Sequence, residues 1–425
     1  MNINYHYYTI KTLASYAGFG EQDAQFISHF SQQIDDFIMG SPFIVSKEPP
    51  DFFLKNNLAQ KLSKDKWVFL PCPTGVNIAA SPSHGFQLHT LMPFHFIMPV
   101  AHNELSRNPD RSLYRCVTEN EKDSLLINRL MEQRLESIDI NDKTSLMALG
   151  MLIHSFADTY AHCGFSGFHG WENETYVSSM KHKLSVKEAK QSEKKTKEAK
   201  DESLFVSSDP YDSMSPLEIA FFRKLISIGH GNVAHAPDYC DCFISLHGKK
   251  TKNGKMEPYI ERDNGKYFSA CSRRILDILC KANKKPLFND SKWETLNQRL
   301  LNAQNVRQQE NDKINKKKWA EVFPEITYGY KKNEFINVKL ELLYHDSKVT
   351  GSLKIEVNDL IDIYSEQGDQ ARSASLVLAR NVNDFFYTYN ELAYRHVFNA
   401  AGEYASLGNI ARLSVYKNLA SGVRI

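Results

Sequence analysis

A stripe of metal-ligand side chains runs along one apolar segment near the middle of the chain. His154, Asp158 and His162 are spaced four residues apart within residues 149–162, which are otherwise rich in apolar side chains. On a helix, residues four apart lie about 40° from each other, so the side chains would share one face. Buried polar groups are costly unless something satisfies them, and a bound cation would do so.

The spacing of the two histidines favours more than one ion. A rise of ~1.5 Å per residue places His154 and His162 ~12 Å apart along the helix axis. Bonds of ~2 Å from imidazole to zinc make it hard for both to hold a single ion, whereas Asp158 between them can bridge two. We therefore expect a polynuclear metal site. The alternative is that the groups are separately hydrogen-bonded within the core.

Further candidate ligands lie in other parts of the chain. They are His6, Asp35, Asp36, His89, His230, His235 and Asp238. The last three belong to a turn whose glycines and proline can bring side chains to a common point. In the loop-rich stretch 84–102 we favour His89 as a ligand. The other histidines there are expected to be structural or exposed, namely His84, His95 and His102.

The elements that position these residues are expected to be mainly helices. Apolar periodicity predicts two helices over 7–39 and one over about 144–163, which Asp142 can cap. Residues 40–100 are rich in Pro and Gly, so loops with short helices are expected there. The charged segment at about 181–202 is expected to be a mobile insertion.

The carboxy-terminal part of the sequence has a different pattern. Alternating apolar residues predict two strands near 335–342 and 353–357, and a long helix is expected over about 371–403. We therefore predict a mainly α protein. A multi-helix, single-core metal-binding domain would occupy residues 1–312. A small α+β appendage would occupy 313–425, with its helix packing on the main domain.

Several phrases of the sequence resemble known families. They are HYY at 6–8, SQQIDD at 31–36, HSFADTYAHCGFSG at 154–167 and GHGNVAHAPD at 229–238. Their succession resembles the zinc-dependent phospholipase C and S1/P1 nuclease superfamily over roughly residues 1–300. The phrases themselves are similar to an uncharacterised bacterial domain of unknown function. The superfamily resemblance implies an all-α fold in which three clustered zinc ions hydrolyse phosphate esters.

The resemblance also implies how the first two ions would be held. His154 and Asp158 would bind one zinc ion together with His89 and one of the aspartates that end the second helix. Asp158 would also reach a second ion, bound by His6. The superfamily uses the α-amino group of residue 1 as a ligand, whereas the first candidate in this chain is His6.

A third ion would lie at the other end of the stripe. The resemblance implies that His162 and His230 hold it. The superfamily has a glutamate four residues after the second of these histidines, where this chain has Ala234. A replacement ligand is therefore needed, and either His235 or Asp238 would supply it.

Together with these residues, the resemblance implies a metal-dependent hydrolase in which metal-activated water attacks a phosphate ester. Whichever of Asp35 and Asp36 is not a ligand would orient the water. Two or three zinc ions are expected, with manganese or iron as alternatives, and the substrate would be a phosphodiester, a phospholipid or a nucleotide. A catalytically silent, metal-stabilised binding or interaction protein is the alternative. An HD-type phosphohydrolase ranks last, because the only adjacent His-Asp pair, His345-Asp346, lies between the expected strands.

Composition and charge limit the classes of partner. Apolar residues make up 42% and charged residues 24% of the 425 residues, as in ordinary globular proteins. The net charge of +2 gives no global attraction to nucleic acid, which would need a local patch. No stretch approaches the ~18 apolar residues of a membrane span, and no signal-peptide pattern is present. These features and the seven scattered cysteines favour a soluble, cytoplasmic protein, and its protein partner is unknown.

Overall fold

Two compact units make up the chain in the computed structural model. The residues that the structure describes are 1–76, 81, 83–100, 115–118, 125–170, 173, 175–183, 205–207, 228–233, 235–248, 260–305, 311–336, 338–343, 352–356, 376–401 and 417. The first unit comprises Met1–Ile34, Ile78–Gln87 and Leu91–Gly329. The second unit comprises Asp35–Asn77, Leu88–Thr90 and Tyr330–Ile425.

Helices dominate the described residues, so the prediction of a mainly α protein is confirmed. In chain order they are the π-helix π1 (Asn4–Thr9), α1 (Ile10–Tyr16), α2 (Glu21–Asp36), α3 (Asp51–Lys55), α4 (His84–Phe86), the π-helix π2 (Gln87–His95), α5 (Leu125–Glu136), α6 (Lys143–Ala161), α7 (Asn264–Ala282), α8 (Asp290–Gln304), α9 (Asp312–Val322) and α10 (Asp384–Ala401). Among the described helices, none combines the length and hydrophobicity that crossing a bilayer requires.

Two sheets accompany the helices. Their strands are β1 (Phe43–Val45), β2 (Ala59–Ser63), β3 (Lys66–Phe69), β4 (Thr175–Lys183), β5 (Phe205–Ser207), β6 (Cys242–Gly248), β7 (Ile260–Asp263), β8 (Lys339–Leu343), β9 (Ser352–Glu356) and β10 (Leu376–Arg380). The first unit contains an antiparallel sheet in the order β5-β4-β6-β7. The second unit contains a sheet in the order β2-β3-β1-β10-β8-β9, in which β1 and β10 are parallel.

Helix α6 is the central element of the first unit. Its apolar sequence is buried at every position from Ser145 to Ala161. The helix packs closely on α2 because residue 150 is glycine, and a Cβ atom there would lie 2.4 Å from the carbonyl oxygen of Ile27. The amphipathic helix α7 adds a buried apolar face to the same unit. Thus α6 is held firmly along its length.

The second unit has a core of its own, formed between its sheet and α10. Phe69 of β3 packs on Phe386 and Tyr387 of α10, with ring centroids 5.6 and 5.5 Å apart. Phe43 of β1 lies 5.9 Å from Phe386 on the same face. The long aromatic helix therefore covers the sheet of its own unit.

The division into units differs from the predicted single core with an appendage beginning at residue 313. The Pro-rich stretch 40–100 was expected to be loop, yet it contributes three strands to the second unit, and β1 pairs with β10. Helix α9 belongs to the first unit, so the sequence boundary falls later than predicted. The pairing of β1 with β10 joins residues about 330 positions apart, so it leaves no local periodicity to detect.

Two further predictions concern segments that the structure describes only partly or not at all. The charged segment expected at 181–202 begins inside β4, which continues to Lys183, and its remaining residues lie outside the described part of the chain. The dipeptide His345-Asp346 also lies outside it. The expected strand pair near 335–342 and 353–357 is present as antiparallel β8 and β9.

Candidate metal centre

Helix α6 carries the three residues of the predicted stripe. Asp142 caps its start, where the carboxylate accepts hydrogen bonds from the backbone N–H groups of Thr144 (3.1 Å) and Ser145 (2.9 Å). His154 and Asp158 lie on the buried helix, and His162 is its carboxy-terminal cap residue. The exposed fraction of these three side chains is 5% or less. The cap and the apolar sequence together fix the stripe within the core.

His154 is oriented by a backbone group of α2. Its Nδ1–H donates to the carbonyl oxygen of Ser31 at 2.8 Å, which leaves Nε2 directed toward Asp158. His154 Nε2 lies 3.3 Å from Asp158 Oδ2. This is the arrangement of a metal-binding histidine, whose second nitrogen usually donates to a carbonyl or carboxylate.

The π-helix π1 brings His6 to the same carboxylate. His6 Nε2 lies 3.1 Å from Asp158 Oδ1, and the imidazole stacks on His154 with ring centroids 3.8 Å apart. Stretches of π-helix are rare and frequently occur at functional sites. Both oxygens of Asp158 thus face imidazoles.

The π-helix π2 ends with His95, which the sequence argument expected to be structural or exposed. His95 is 3% exposed, and its Nδ1 lies 3.1 Å from Asp158 Oδ2 and 3.3 Å from His154 Nε2. Its carbonyl oxygen accepts a hydrogen bond of 2.7 Å from His162 Nδ1–H. The apolar residues on both sides of His95 are a signal of burial that could have found it. His89, which we favoured, belongs to the second unit.

A turn near residue 238 supplies the second carboxylate. Asp238 ends a 3₁₀ turn (Ala236–Asp238), and its Oδ1 lies 3.2 Å from His162 Nε2. His230 Nε2 and His235 Nδ1 each lie 3.6 Å from Asp238 Oδ2. The geometry thus brings together the four candidates that the sequence placed at this end of the stripe.

Gly229 fixes the approach of the chain to this turn. Its backbone φ of +53° is one that residues with a side chain rarely adopt. A Cβ atom at this position would also lie 2.4 Å from the ring of Phe96. Phe96 in turn stacks on His162, with ring centroids 4.6 Å apart. Glycine at this position lets His230 enter the cluster beside Phe96.

The main-chain amine of Met1 is a member of the cluster that sequence reasoning missed. Its nitrogen lies 2.6 Å from Asp158 Oδ1, 3.2 Å from Asp238 Oδ1 and 3.5 Å from His162 Nε2. A backbone group carries no residue-type signal, and the sequence indicates His6 as the first nitrogen donor. In the structure the amine lies between the two carboxylates and donates to Asp158.

Burial and neighbouring charge shift the titration of the cluster. Burial opposes ionisation of Asp158, but His162 and the Met1 amine outweigh it and hold the pKa of Asp158 well below its usual value. Burial also opposes ionisation of Asp238, and the Met1 amine and His230 likewise hold its pKa well below the usual value. Both carboxylates are therefore ionised at neutral pH.

Burial shifts two imidazoles of the cluster, those of His6 and His154, toward the neutral form. Burial lowers the pKa of His6 to about 4, although Asp158 opposes the shift. Burial and the nearby His6 lower the pKa of His154 well below its usual value, again against the effect of Asp158. Neutral imidazoles with lone pairs facing ionised carboxylates form a donor set that suits a divalent cation.

The donor set can be divided into two ligand groups within the first unit. Each group offers ligand atoms that all lie within 4.8 Å of one another. One group is His95, His154 and Asp158, and the other is His162, His230 and Asp238. In the first group, only His95 Nδ1 can carry a hydrogen. That one hydrogen would have to lie between His95 Nδ1, His154 Nε2 and Asp158 Oδ2, whereas a cation is attracted by each of these atoms. The side chains present therefore fit bound metal ions.

The remaining predicted site residues belong to the second unit. Asp35 and Asp36 end α2, and His89 lies within π2. In the second unit, Asp36 accepts a hydrogen bond from the hydroxyl of Tyr330 and lies 3.7 Å from Lys332 Nζ. Burial and the neighbouring Asp36 raise the pKa of Tyr330 well above its usual value. The metal-binding and catalytic roles of Asp35, Asp36 and His89 stay predictions.

Comparison with known proteins places the chain in one family. A family model described as a family of unknown function (DUF6765) matches residues 1–401. The chain therefore belongs to this family, in agreement with the resemblance of its phrases to a domain of unknown function. No curated protein and no solved structure matches the chain. A relation to the phospholipase C and S1/P1 nuclease superfamily thus has no support from these comparisons.

Proposed function

We propose that the protein is a metal-dependent hydrolase of phosphate esters, such as a phosphodiester, a phospholipid or a nucleotide. The observation that carries the proposal is the shared orientation of His154 and His162. Each imidazole donates Nδ1–H to a backbone carbonyl and directs Nε2 at a buried carboxylate. Such outer hydrogen bonds are typical of histidines that bind metal ions.

The two ligand groups support a site with at least two ions. Asp158 presents Oδ2 to His95 and His154, and its Oδ1 lies 2.6 Å from the Met1 amine, which also lies 3.2 Å from Asp238 Oδ1. A carboxylate with both oxygens in the cluster can bridge neighbouring ions. Nitrogen and carboxylate donors suit zinc, and manganese or iron is the alternative.

The two ends of the cluster differ in access to solvent. The side chains of His154 and Asp158 are 0% and 1% exposed, whereas those of His230 and His235 are 18% and 40% exposed. A substrate can therefore approach at the end formed by Asp238. The buried end would hold its ligands in place.

Bound divalent ions would lower the pKa of a coordinated water from ~15.7 to ~7 and so supply hydroxide at neutral pH. The chain's own residues would orient the reaction. Asp238, held ionised, would keep His162 and His230 directed at the ion. His235, the most exposed of these side chains, would donate a proton to the leaving group. Asp35 or Asp36 stays our prediction for the residue that orients the attacking water.

Hydrolysis of a chromogenic phosphodiester, bis(p-nitrophenyl) phosphate, tests the proposal. The protein should carry a carboxy-terminal tag without histidine, because the Met1 amine lies in the cluster. We expect turnover that a chelator abolishes and that zinc or manganese restores, and no turnover by Asp158→Asn. Metal-independent turnover, or none for any phosphodiester, phosphomonoester or phospholipid, would contradict it.

One observation favours a second candidate, a metal-stabilised interaction protein without catalysis. A structural metal site is closed, and the Asp158 end of the cluster is almost fully buried. This candidate predicts stoichiometric metal that raises the melting temperature, with no hydrolysis of any phosphate ester.

A further inference from the structure

Arg262 is a buried cation close to the carboxy-terminal end of α6. It lies on β7 and is 3% exposed. Its Nη2 donates to the carbonyl oxygen of Tyr160 at 2.6 Å, and its Nε donates to Asn264 Oδ1 at 2.8 Å. The guanidinium also lies over the ring of Tyr267, 4.5 Å from its centroid. Tyr160 precedes His162 by two residues, so Arg262 contacts the helix beside a candidate ligand.

Asn264 continues this connection to the turn that carries Asp238. The side-chain amide of Asn264 donates to the carbonyl oxygens of Ala236 and Tyr239, both at 2.8 Å. These two residues flank Asp238 in the sequence. Asn264 is fully buried, so its hydrogen bonds are made without competition from water.

The contacts of Arg262 favour a positional role over charge pairing. Among the described residues, no carboxylate lies within ion-pair distance of its guanidinium. A buried guanidinium without such a partner is costly, and here its donors are used on a helix carbonyl and on Asn264. The pair thereby links the end of α6 to the 3₁₀ turn. Such a buried hydrogen-bond network holds the end of α6 and the turn in one geometry.

We propose that Arg262 and Asn264 are positioning residues for the ligand group of His162, His230 and Asp238. The inference rests on the proposed metal site and adds residues outside the ligand set. The other group is held by different contacts, since His154 is fixed by Ser31 and α6 is packed along its length. Loss of the pair should therefore weaken one ion selectively.

The test uses Co²⁺ as the probe with the full-length chain. Chelator-treated protein is dialysed against graded free Co²⁺, and bound metal is counted by mass spectrometry beside the visible absorption of bound Co²⁺. The variants are Arg262→Met and Asn264→Leu, with Arg262→Lys as the conservative variant. We expect wild type to bind at least two ions. Arg262→Met and Asn264→Leu should each bind one ion about 10- to 100-fold more weakly and the other ion as wild type does. A loss of this size is typical when a residue that orients a metal ligand is changed.

Two matched controls separate positioning from general stability. Arg299 donates to the carbonyl oxygen of Val322 at 2.7 Å and lies 4.2 Å from the centroid of Phe323, so Arg299→Met removes similar contacts elsewhere in the first unit. Asn390 of the second unit is also fully buried, and its amide donates to a carbonyl oxygen at 2.8 Å. We expect Arg299→Met and Asn390→Leu to bind every ion as wild type does, whatever their melting temperatures.

Each outcome decides the inference. Unchanged binding of all ions by Arg262→Met and Asn264→Leu would overturn it and leave the proposed metal site standing. Equal weakening of every ion by Arg262→Met and Asn264→Leu, with or without the same effect in the controls, would also overturn it. If wild type binds no ion, the proposed function fails and the inference with it. Should Arg262→Met fail to fold, Asn264→Leu and the partial rescue expected of Arg262→Lys decide the matter.

Discussion

The protonation of single imidazoles determines what the cluster can bind. His154 and His162 each commit Nδ1–H to a backbone carbonyl, so in the neutral form each offers only a lone pair at Nε2. The neighbouring carboxylates of Asp158 and Asp238 can only accept. The two Nε2 atoms and the carboxylate oxygens therefore converge on positions where a cation is favoured and a further hydrogen-bond acceptor is not.

His95 is not among the ligands that the sequence favours, yet it contacts Asp158 and His154. We expect His95→Gln to lose one bound ion per chain or to bind it at least tenfold more weakly. The backbone carbonyl that orients His162 is retained in this variant. Bound metal is measured after equilibrium dialysis against zinc.

The matched control is His84→Gln, which changes an exposed histidine of the same stretch. This variant should bind metal as wild type does. Equal metal content and affinity in His95→Gln and His84→Gln would show that His95 is a structural core residue.

Secondary-structure elements bring the candidate ligands together, and only some of these residues could be predicted from sequence. The stripe on α6 was predictable because positions four apart on one apolar segment are neighbours on a helix. For His95 the sequence indicates only burial, through the apolar residues on both sides; its contacts depend on a π-helix and on residues about 60 positions away. The Met1 amine could not be predicted, because residue types cannot reveal it.

The secondary structure, like the candidate site, could be predicted from sequence only in part. Helices α2 and α6 and the pair of β8 and β9 follow from local periodicity, and they were predicted. The strand β1 is three residues long and pairs with β3 and with β10, a partner far away in sequence. Short strands among prolines carry little periodic signal, so that region was expected to be loop.

The close packing of α6 on α2 predicts the effect of a single methyl group. Gly150→Ala would place a Cβ atom 2.4 Å from the carbonyl oxygen of Ile27, so the helices must separate. We expect a loss of about 1–3 kcal/mol in the free energy of unfolding, as for other overpacked cores. Urea denaturation followed by circular dichroism measures it. Weaker metal binding should accompany the loss, because α2 orients His154.

Gly20→Ala is the matched control for this substitution, since no atom lies within 4 Å of the added Cβ and φ is not positive there. Its free energy of unfolding should stay within about 0.5 kcal/mol of wild type. A Gly150→Ala variant as stable as Gly20→Ala would contradict the described packing of the two helices.

The stability of the whole molecule should depend on pH through buried neutral histidines. Burial lowers the pKa of His29 to about 3, against an opposing hydrogen bond to Gln33. Between about pH 6.5 and pH 3 the unfolded chain therefore binds a proton that the folded chain does not. Stability is complete above that window and is lost as pH falls through it.

The size of this pH effect can be tested with one substitution. In chelator-treated protein, His29 should contribute a slope of up to ~1.4 kcal/mol per pH unit within the window, and His29→Gln should remove that contribution. Urea denaturation at a series of pH values measures both slopes. Identical slopes for wild type and His29→Gln would show that His29 is protonated in the folded protein.

Metal content per chain decides between a bound-metal site and a hydrogen-bonded histidine core. The protein is purified without chelator and analysed by mass spectrometry beside Asp158→Asn, which keeps the shape of the side chain but removes its charge. We predict two or more zinc, manganese or iron ions per wild-type chain, and the loss of at least one in Asp158→Asn. Wild-type protein without stoichiometric metal would contradict the account, and the histidine cluster would then be a hydrogen-bonded core.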